Sequence, residues 1–293
     1  MKILVLGSKG QLGKCLIDQL SNSEYEVIYA SRGQIDVAEL EQTKAKILKI
    51  SPDIVINATA YTQVDKAEEE YQAADCINHL AVANIARICN YLGCWLIHIS
   101  TDYVFDGNSE VAYKEDYPTS PKSVYGDSKL KGEVSIEASG CKYLIIRTAW
   151  VFSEYGNNFL KTMLRLGGDR DELSIVGDQV GCPTYAQDIA KTIVSIVSCL
   201  DLKGSSSGIY HYCGNEVCSW YDFAHAIFLE AKKFGLKIPN NIHSITTADY
   251  PTPAIRPLYS VLDCRKIESV FGVTLSNWRD GIKIVIEKLQ SSA

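Results

Sequence analysis

The chain has 293 residues, of which 46% are hydrophobic and 22% charged, and its formal net charge is −6. These proportions are typical of a soluble globular enzyme and exclude disordered and fibrous proteins. Charges of both signs are mixed along the chain without a basic stripe, which argues against nucleic acid as a partner.

Short apolar segments alternate with amphipathic segments through the first half of the chain. The apolar segments are rich in β-branched residues and predict strands at residues 3–6, 26–30, 54–57, 95–100 and 143–147. The segments between them predict helices at residues 10–20, 38–49, 73–92 and 128–138. This alternation predicts an α/β fold with a Rossmann-type, doubly wound parallel sheet, in which ligands bind at the carboxyl ends of the strands.

Three glycines, Gly7, Gly10 and Gly13, fall where the first predicted strand passes into the first helix, together with Gln11 and Leu12. Glycines permit a tight turn and a close approach of pyrophosphate to the backbone. The free N–H groups of the helix N-terminus stabilise the charge of that pyrophosphate. This turn therefore predicts a dinucleotide-binding site.

The second strand ends in Ser31 and Arg32, where NAD-binding proteins of this design carry an acidic residue for the ribose 2′-hydroxyl. An acid would repel a 2′-phosphate, whereas Arg32, helped by Lys9, would attract it. We therefore predict NADPH as the cofactor, keep NADH as an alternative, and assign residues 1–149 as an NADP-binding Rossmann domain.

Two further segments are expected along the same cofactor. Asp36 and Val37 follow the second strand and are placed to reach the adenine. Ala60, Tyr61 and Thr62 follow the third strand and are placed beside the cofactor. Neither segment is specific by itself, so a core or loop role is an equal alternative for each.

Tyr125 and Lys129 are four residues apart at the start of a predicted helix, so their side chains share one face. A neighbouring ammonium lowers the pKa of a phenol, which suits Tyr125 to protonate the alkoxide formed when a ketone is reduced. Thr101 directly follows the fourth predicted strand, where its hydroxyl can orient a substrate carbonyl. These three residues predict the chemistry of a short-chain dehydrogenase/reductase.

Beyond about residue 150 the alternation becomes irregular, and several prolines interrupt it. Residues 203–208 predict a polar loop. We expect residues 150–293 to form mainly a smaller, interleaved C-terminal α/β substrate-binding domain, with some segments returning to the Rossmann domain.

Apolar segments and cysteines bear on the location of the protein. The opening apolar segment is too short for a signal peptide, and no later apolar run approaches 18 residues. The ten cysteines are scattered and form no CxxC pair, which favours reduced, mostly buried thiols over disulfides or a zinc site. The sequence therefore predicts a cytoplasmic protein without a membrane partner.

These motifs together resemble the dTDP-4-dehydrorhamnose reductases, and the resemblance covers nearly the whole chain. The segments that carry it include residues 10–13, 60–68, 100–105, 124–130, 147–151, 156–159, 162–166, 178–179, 183–184, 250–254 and 256–257. The resemblance implies NADPH-dependent reduction of the C4 ketone of a nucleotide sugar, dTDP-4-dehydro-L-rhamnose, to dTDP-L-rhamnose. This is the last step of dTDP-rhamnose synthesis.

The resemblance also implies roles for individual residues. Tyr125 would be the proton donor with Lys129 as its partner, and Thr101 would take the position often filled by serine. Thr101, Asp102 and Trp150 would contact the substrate. Trp150 would offer an aromatic face to the thymine or the sugar, and a core role for this residue is the alternative.

Three other positions bear on ligands and assembly. Some members of the family use magnesium between subunits, held by glutamates, whereas the aligned positions here read Cys15 and Gln187. We predict no metal, because a thiol is a poor ligand for a hard cation. Arg256 suits the substrate diphosphate, with a structural ion pair as an equal alternative. Whether the chain forms a homodimer is left open.

Several alternative functions share these motifs. A sugar-nucleotide dehydratase or epimerase would recycle bound NAD, but the dehydratases carry an acid where Tyr103 stands. A reductase of another 4-keto-6-deoxysugar is a further alternative. A non-catalytic NADP-binding regulatory subunit, like the one that associates with methionine adenosyltransferase, would tolerate loss of Thr101, Tyr125 and Lys129, all of which are present.

Overall fold

The computed structural model describes residues 1–200 and 206–291, so residues 203–205 of the predicted polar loop lie outside the described residues. The strands are β1 Lys2–Leu6, β2 Glu26–Ala30, β3 Ile54–Asn57, β4 Trp95–Thr101, β5 Lys142–Thr148, β6 Val151–Phe152, β7 Glu172–Val176, β8 Val180–Gly181, β9 Thr184–Tyr185, β10 Gly208–His211, β11 Cys218–Ser219 and β12 Asn241–Ile245. The helices are α1 Gln11–Leu20, α2 Leu40–Ile50, α3 Val64–Ala67, α4 Tyr71–Asp75, α5 Ala81–Leu92, α6 Val124–Ala138, α7 Phe159–Asp169, α8 Ala186–Cys199, α9 Trp220–Lys233, α10 Arg265–Phe271 and α11 Trp278–Ser291. A π-helical turn at Cys76–Leu80 and 3₁₀ turns at Asp102–Val104 and Thr247–Asp249 complete the list.

Six parallel strands form the central sheet in the order β2–β1–β3–β4–β5–β10. Successive side chains of a strand point to opposite faces, so Ile3 and Val5 of β1 enter one apolar core while Leu4 and Leu6 enter another. All five strands predicted from the sequence lie in this sheet. The chain progresses in opposite directions from β1 to β2 and from β1 to β3, which places a ligand crevice at their carboxyl ends.

Helices cover both faces of the sheet. On one face α1 and α8 pack together, and Leu16 and Ile193 enter the core between them and the strands. On the other face α2 and α5 pack together, and Ile47 and Val82 enter the second core. The predicted doubly wound α/β fold is therefore confirmed.

Two predicted helices differ in their bounds. The helix expected at residues 73–92 is divided into α4, the π-helical turn and α5. Asn78 in that turn is buried and bonds the backbone of Tyr61, a long-range contact that helical periodicity does not reveal. The helix expected at residues 128–138 begins earlier, at Val124, because the Ser123 hydroxyl accepts a hydrogen bond from the Gly126 N–H at 3.1 Å and caps it.

The second half of the chain forms a third apolar core and also adds to the central sheet and its helices. Strands β7 and β12 pair in parallel, and α7, α9 and α11 pack with them around a third apolar core that includes Leu173, Phe223 and Ile286. Strand β10 extends the central sheet beside β5, and α8 packs against α1. The division of the chain at residue 149 stays a prediction.

The helices and the cysteines bear on the predicted location of the protein. Over residues 1–200 and 206–291, none of the helices combines the length and the apolar character needed to span a bilayer. The ten cysteines are free thiols, and all but Cys76 and Cys199 are buried. The predicted cytoplasmic location stays a prediction.

Candidate active site

The turn between β1 and α1 is held by glycines. Gly7 has a φ of +82°, and a Cβ there would lie 2.8 Å from the Ala58 carbonyl oxygen. A Cβ on Gly13 would lie 2.2 Å from the Gly7 carbonyl oxygen. Gly10 precedes α1 without a side-chain cap, so no side chain competes for the first backbone N–H groups of the helix. The turn therefore fits the pyrophosphate of a dinucleotide.

The two other predicted residues of this turn contact the protein through their side chains. The Gln11 Oε1 accepts hydrogen bonds from the Ser153 hydroxyl at 3.0 Å and from the Asn158 amide at 2.9 Å. Leu12 is buried in the core between the sheet and α8. Their side chains thus fix the turn against a loop from the second half, and their contact with a cofactor stays a prediction.

The end of β2 carries the residues predicted to select the cofactor. The Arg32 side chain is 83% exposed, and its Nε donates a hydrogen bond to Asp36 at 3.0 Å. The Ser31 hydroxyl and backbone N–H both donate to Gln34. Val37 lies in the core, which is the alternative role considered for it. The exposed guanidinium remains accessible to a phosphate at this edge of the sheet.

The loop after β3 is tied to neighbouring elements. The Tyr61 N–H donates to the Asn78 Oδ1 at 2.9 Å, and the Tyr61 hydroxyl donates to Glu70 at 2.7 Å. The bond to this carboxylate raises the pKa of Tyr61 to about 12. Ala60 is half-buried and Thr62 is exposed. These three residues lie on the β3 side of the crevice, as predicted, but their contact with the cofactor stays a prediction.

Tyr125 lies near the start of α6 and meets the end of β4. Burial raises its pKa, while a hydrogen bond with the Thr101 hydroxyl opposes that rise. The Tyr103 ring meets the Tyr125 ring edge-on, with centroids 5.5 Å apart. The structure thus brings together the predicted proton donor and the predicted hydroxyl.

Lys129, one turn further along α6, is buried. Its Nζ donates to the Ile99 carbonyl at 2.6 Å and lies 3.2 Å from the His98 Nε2. Burial lowers the pKa of Lys129 to about 8, and Glu133 opposes this shift. In this structure the hydrogen bonds of the amine are therefore with β4. The group that opposes the rise in the pKa of Tyr125 is the Thr101 hydroxyl and not Lys129.

Thr101 and Asp102 form a hydrogen-bonded pair at the carboxyl end of β4. The Thr101 hydroxyl donates to the Asp102 Oδ1 at 2.9 Å and accepts from the Tyr103 N–H at 3.2 Å. Burial raises the pKa of Asp102 to about 6. The Ser260 hydroxyl opposes this rise, but the Oδ2 is buried and has no hydrogen-bond partner of ordinary geometry in the described part of the chain. A hydroxyl of a bound ligand would satisfy that oxygen.

Trp150 lies after β5 with a φ of +48°. Its ring stacks on Trp220, with centroids 3.5 Å apart and planes inclined by 7°. Gly181 lies against the same ring, since a Cβ there would be 2.7 Å from the Trp150 Cε2. Trp150 therefore has packing contacts of the kind expected for its alternative core role, and its contact with substrate stays a prediction.

Arg256 forms the ion pair that was one of its two expected roles. Its Nη2 lies 2.7 Å from the Asp65 Oδ2, and its Nη1 donates to the Tyr103 hydroxyl at 3.4 Å. The guanidinium thus joins the loop that follows the 3₁₀ turn at Thr247–Asp249 to α3, beside the ring that contacts Tyr125.

Sequence reasoning missed three residues near this site. Asn57 and His98 are buried in β3 and β4, and their side chains hydrogen-bond each other at 3.2 Å. Asn57 ends an otherwise apolar strand and His98 interrupts the apolar residues 95–99 of β4, and this was the available signal. Trp220, which stacks on Trp150, had no such signal because the contact joins distant parts of the chain.

Comparison with known proteins identifies the family. A family model described as the RmlD substrate binding domain matches residues 1–291. The chain is 42% identical to the dTDP-4-dehydrorhamnose reductase of Aggregatibacter actinomycetemcomitans, over 96% of this chain and 97% of that protein. The chain belongs to the dTDP-4-dehydrorhamnose reductase family.

Solved structures agree with this assignment. The crystal structure of a dTDP-4-dehydrorhamnose reductase from Clostridium acetobutylicum has a TM-score of 0.92 and 38% identity, covering 99% of this chain and 100% of that chain. The dTDP-4-dehydrorhamnose reductase of Bacillus anthracis, solved in complex with NADP, has a TM-score of 0.90 and 34% identity, covering 98% and 99%. The predicted family, fold class and reductase function are thus confirmed.

The family's magnesium site was expected to be absent from this chain. Cys15 is buried, and the Gln187 side chain donates to Asp18 at 3.3 Å. Across the described residues, no group of three or more His, Cys, Asp or Glu side chains is arranged to hold a metal ion. The absence of a metal from the protein stays a prediction.

Proposed function

We propose that this dTDP-4-dehydrorhamnose reductase family member reduces the C4 ketone of dTDP-4-dehydro-L-rhamnose to dTDP-L-rhamnose with NADPH. One observation carries the residue assignments: the Tyr125 hydroxyl bonds Thr101 at the carboxyl end of β4. This is the sheet edge that also carries the glycine turn after β1. A proton donor therefore lies at the edge where a dinucleotide would bind.

The residues of this chain divide the reaction between them. NADPH, when bound, supplies the hydride to the ketone carbon. Tyr125 transfers its hydroxyl proton to the substrate oxygen and is left as a phenolate. Thr101 orients that oxygen through its hydroxyl, and Lys129 as an ammonium would stabilise the phenolate.

Two sets of residues would hold the ligands. The backbone around Gly7, Gly10 and Gly13 would bind the pyrophosphate, and Arg32 would attract the 2′-phosphate. Asp102 would accept a hydrogen bond from a sugar hydroxyl, because its Oδ2 is buried and unsatisfied among the described residues. The prediction of an NADP cofactor is confirmed by the Bacillus anthracis relative, which was solved in complex with NADP.

A dehydratase fits the site less well. The residue after the Thr101–Asp102 pair is Tyr103, and burial raises its pKa to about 12. The dehydratases carry an acid at this position for elimination, and this chain has a tyrosine in its place. Since Tyr125, Lys129 and Thr101 are all present, a regulatory subunit without catalysis is also disfavoured.

The test is the oxidation of NADPH by the purified protein with dTDP-4-dehydro-L-rhamnose, with identification of the sugar product. We expect turnover to dTDP-L-rhamnose. Tyr125→Phe should lower kcat by about 10²- to 10⁴-fold, because only the proton donor is removed. NADPH binding, followed by fluorescence titration, should be unchanged.

The matched control is Tyr91→Phe, since Tyr91 is 81% exposed at the end of α5. This variant should retain wild-type kcat. Near-wild-type turnover by Tyr125→Phe would refute Tyr125 as the acid. Absence of turnover in a wild-type protein that binds NADPH would refute the substrate and favour another 4-keto-6-deoxysugar.

A further inference from the structure

Beneath the proposed site, three polar side chains form a buried row, and the proposed reaction uses only one of them, Lys129. Asn57 in β3, His98 in β4 and Lys129 in α6 are each at most 1% exposed. The Asn57 Nδ2 lies 3.2 Å from the His98 Nδ1, and the His98 Nε2 lies 3.2 Å from the Lys129 Nζ. At this burial each hydrogen bond must be made within the protein, so the direction of each one matters.

The direction of the hydrogen bonds along this row is set by the side chain of Asn57. The Thr59 N–H and hydroxyl lie 3.1 and 2.6 Å from the Asn57 Oδ1. A backbone N–H can only donate, so the amide oxygen must face Thr59 and the amide nitrogen must face His98. That nitrogen is also only a donor, and the His98 Nδ1 must accept its hydrogen bond.

The tautomer of His98 follows from this arrangement. Burial is the main cause that lowers the pKa of His98 well below its ordinary value, and Lys129 adds to it when charged, so the ring is neutral. A neutral imidazole with an accepting Nδ1 carries its proton on Nε2. The Nε2–H therefore points at the Lys129 Nζ, and it can bond only a nitrogen that has a lone pair.

We propose that His98 is a positioning residue that receives the Lys129 amine in its unprotonated form. The neutral amine donates to the Ile99 carbonyl and accepts from the His98 Nε2–H, so Asn57, His98 and Lys129 each have a hydrogen-bond partner in the row. When Lys129 gains a proton it loses its lone pair and, with it, the bond to His98. The ammonium would then leave this position, and Tyr125 lies one turn away on the same face of α6.

This inference rests on the proposed function only for its catalytic consequence. Lys129 as an ammonium would stabilise the phenolate of Tyr125. His98 would disfavour this protonated form of Lys129, because the Nε2–H can bond only the neutral amine. Loss of the Nε2–H should therefore favour the ammonium and extend activity to higher pH.

Other charged groups also lie around α6. Glu133 raises the pKa of Lys129 and is itself bound to Arg147 of β5. Asp102 and Tyr103 face Tyr125 from the turn after β4. On the outer side, charged groups of neighbouring elements pair with one another or lie at the surface: Asp65 with Arg256, Asp75 with His79 and Lys131, and Arg87 exposed on α5.

The direct test is the tautomer of His98 in the cofactor-free wild-type protein, read by two-bond ¹H–¹⁵N NMR correlation of the histidine rings. The signal of His98 is assigned by its absence from His98→Gln. We expect a neutral ring with the proton on Nε2 across about pH 6 to 10, a range that spans the ordinary histidine pKa. A proton on Nδ1 at any pH in this range, or an imidazolium, would overturn the proposal.

Two variants test the catalytic consequence. His98→Gln places an amide donor near the position of Nε2, whereas His98→Asn reaches only the position of Nδ1. In the kcat–pH profile, His98→Asn should move the alkaline limb upward by about one pH unit, and His98→Gln should restore it toward the wild type. Equal profiles for both variants would contradict the proposed role.

The two proposals fail in distinguishable ways. If the wild-type protein does not turn over the sugar nucleotide, the NMR result still decides which nitrogen of His98 is protonated. If turnover is normal and the ring carries its proton on Nδ1, the proposed function stands and the role of His98 is refuted. If His98→Gln fails to fold, the signal of His98 is assigned by its absence from His98→Asn instead.

Discussion

At the scale of single residues, Asp102 combines a buried carboxyl with an oxygen that lacks a hydrogen-bond partner among the described residues. Its folded pKa of about 6 is above the ordinary value for aspartate, so the folded protein binds this proton more tightly than the unfolded chain. The stabilisation of the fold by the protonated carboxyl is complete below the pKa of the unfolded chain and is lost as pH rises through about 6. At neutral pH the ionised carboxyl therefore destabilises the fold.

Asp102→Asn should remove this destabilisation. Relative to the wild type, its free energy of unfolding should rise between about pH 4 and pH 7.5 by on the order of 2–3 kcal/mol. Urea unfolding at the two pH values measures the difference. Asp106→Asn is the control of opposite sign, because the Tyr113 hydroxyl lowers the pKa of Asp106. Parallel pH dependence of Asp102→Asn and the wild type would contradict this account.

Arg32 is the residue on which the predicted cofactor preference depends. Removal of its exposed guanidinium should weaken the attraction of a 2′-phosphate and leave NADH unaffected, because NADH lacks that group. We expect Arg32→Ala to raise the KM for NADPH by about tenfold, which corresponds to about 1.4 kcal/mol. Arg87→Ala, an exposed arginine on α5, is the control. An equal loss with both cofactors would place the recognition of the 2′-phosphate elsewhere.

The sequence supports some of these residue assignments and not others. Tyr125 and Lys129 are predictable as a pair because a four-residue spacing brings two side chains to one face of a helix. The row formed by Asn57, His98 and Lys129 is not predictable in this way, since it joins two strands and a helix. The direction of its hydrogen bonds depends on Thr59, whose N–H position is known only from the fold.

At the scale of elements, alternating apolar and amphipathic segments were sufficient to predict the five strands found in the first half of the chain. Periodicity did not reveal the π-helical turn, because its apolar pattern continues that of α5. The turn packs against α6, where a Cβ on Gly132 would lie 2.2 Å from the Asn78 carbonyl oxygen. Gly132 is therefore required by a contact between two helical elements.

Gly132→Ala tests this contact. Alanine favours a helix by up to about 1 kcal/mol, but overpacking in a buried contact costs about 1–3 kcal/mol. Because the Cβ would meet a backbone oxygen, we expect a net loss of about 2 kcal/mol in urea unfolding. Gly168→Ala in α7 is the matched control, since its Cβ would meet no atom within 4 Å. That variant should be neutral or more stable, and equal losses in both would argue against the packing explanation.

At the scale of the whole molecule, the return of the second half to the sheet was expected, but its location was not. Strand β10 has only four residues and pairs with β5, and pairing between such distant segments leaves no local signal. Beside this junction the Arg147 guanidinium of β5 lies 2.7 Å from the Glu133 carboxylate of α6 and donates to the Glu115 carbonyl at 3.3 Å. Arg147 also lies 3.5 Å from His211 of β10, so this cation of β5 contacts three other parts of the chain.

The ion pair between Arg147 and Glu133 is at most 2% exposed, and its loss should affect the whole fold. Glu133→Gln keeps a hydrogen-bond acceptor but leaves the guanidinium uncompensated in the interior. We expect a loss of about 3–5 kcal/mol in the free energy of unfolding, measured in urea. Glu287→Gln is the control, because Glu287 forms an exposed pair with Lys283 at 4.0 Å and should lose less than about 1 kcal/mol. If the two variants lost the same stability, the junction between β5, α6 and β10 would not depend on this charge.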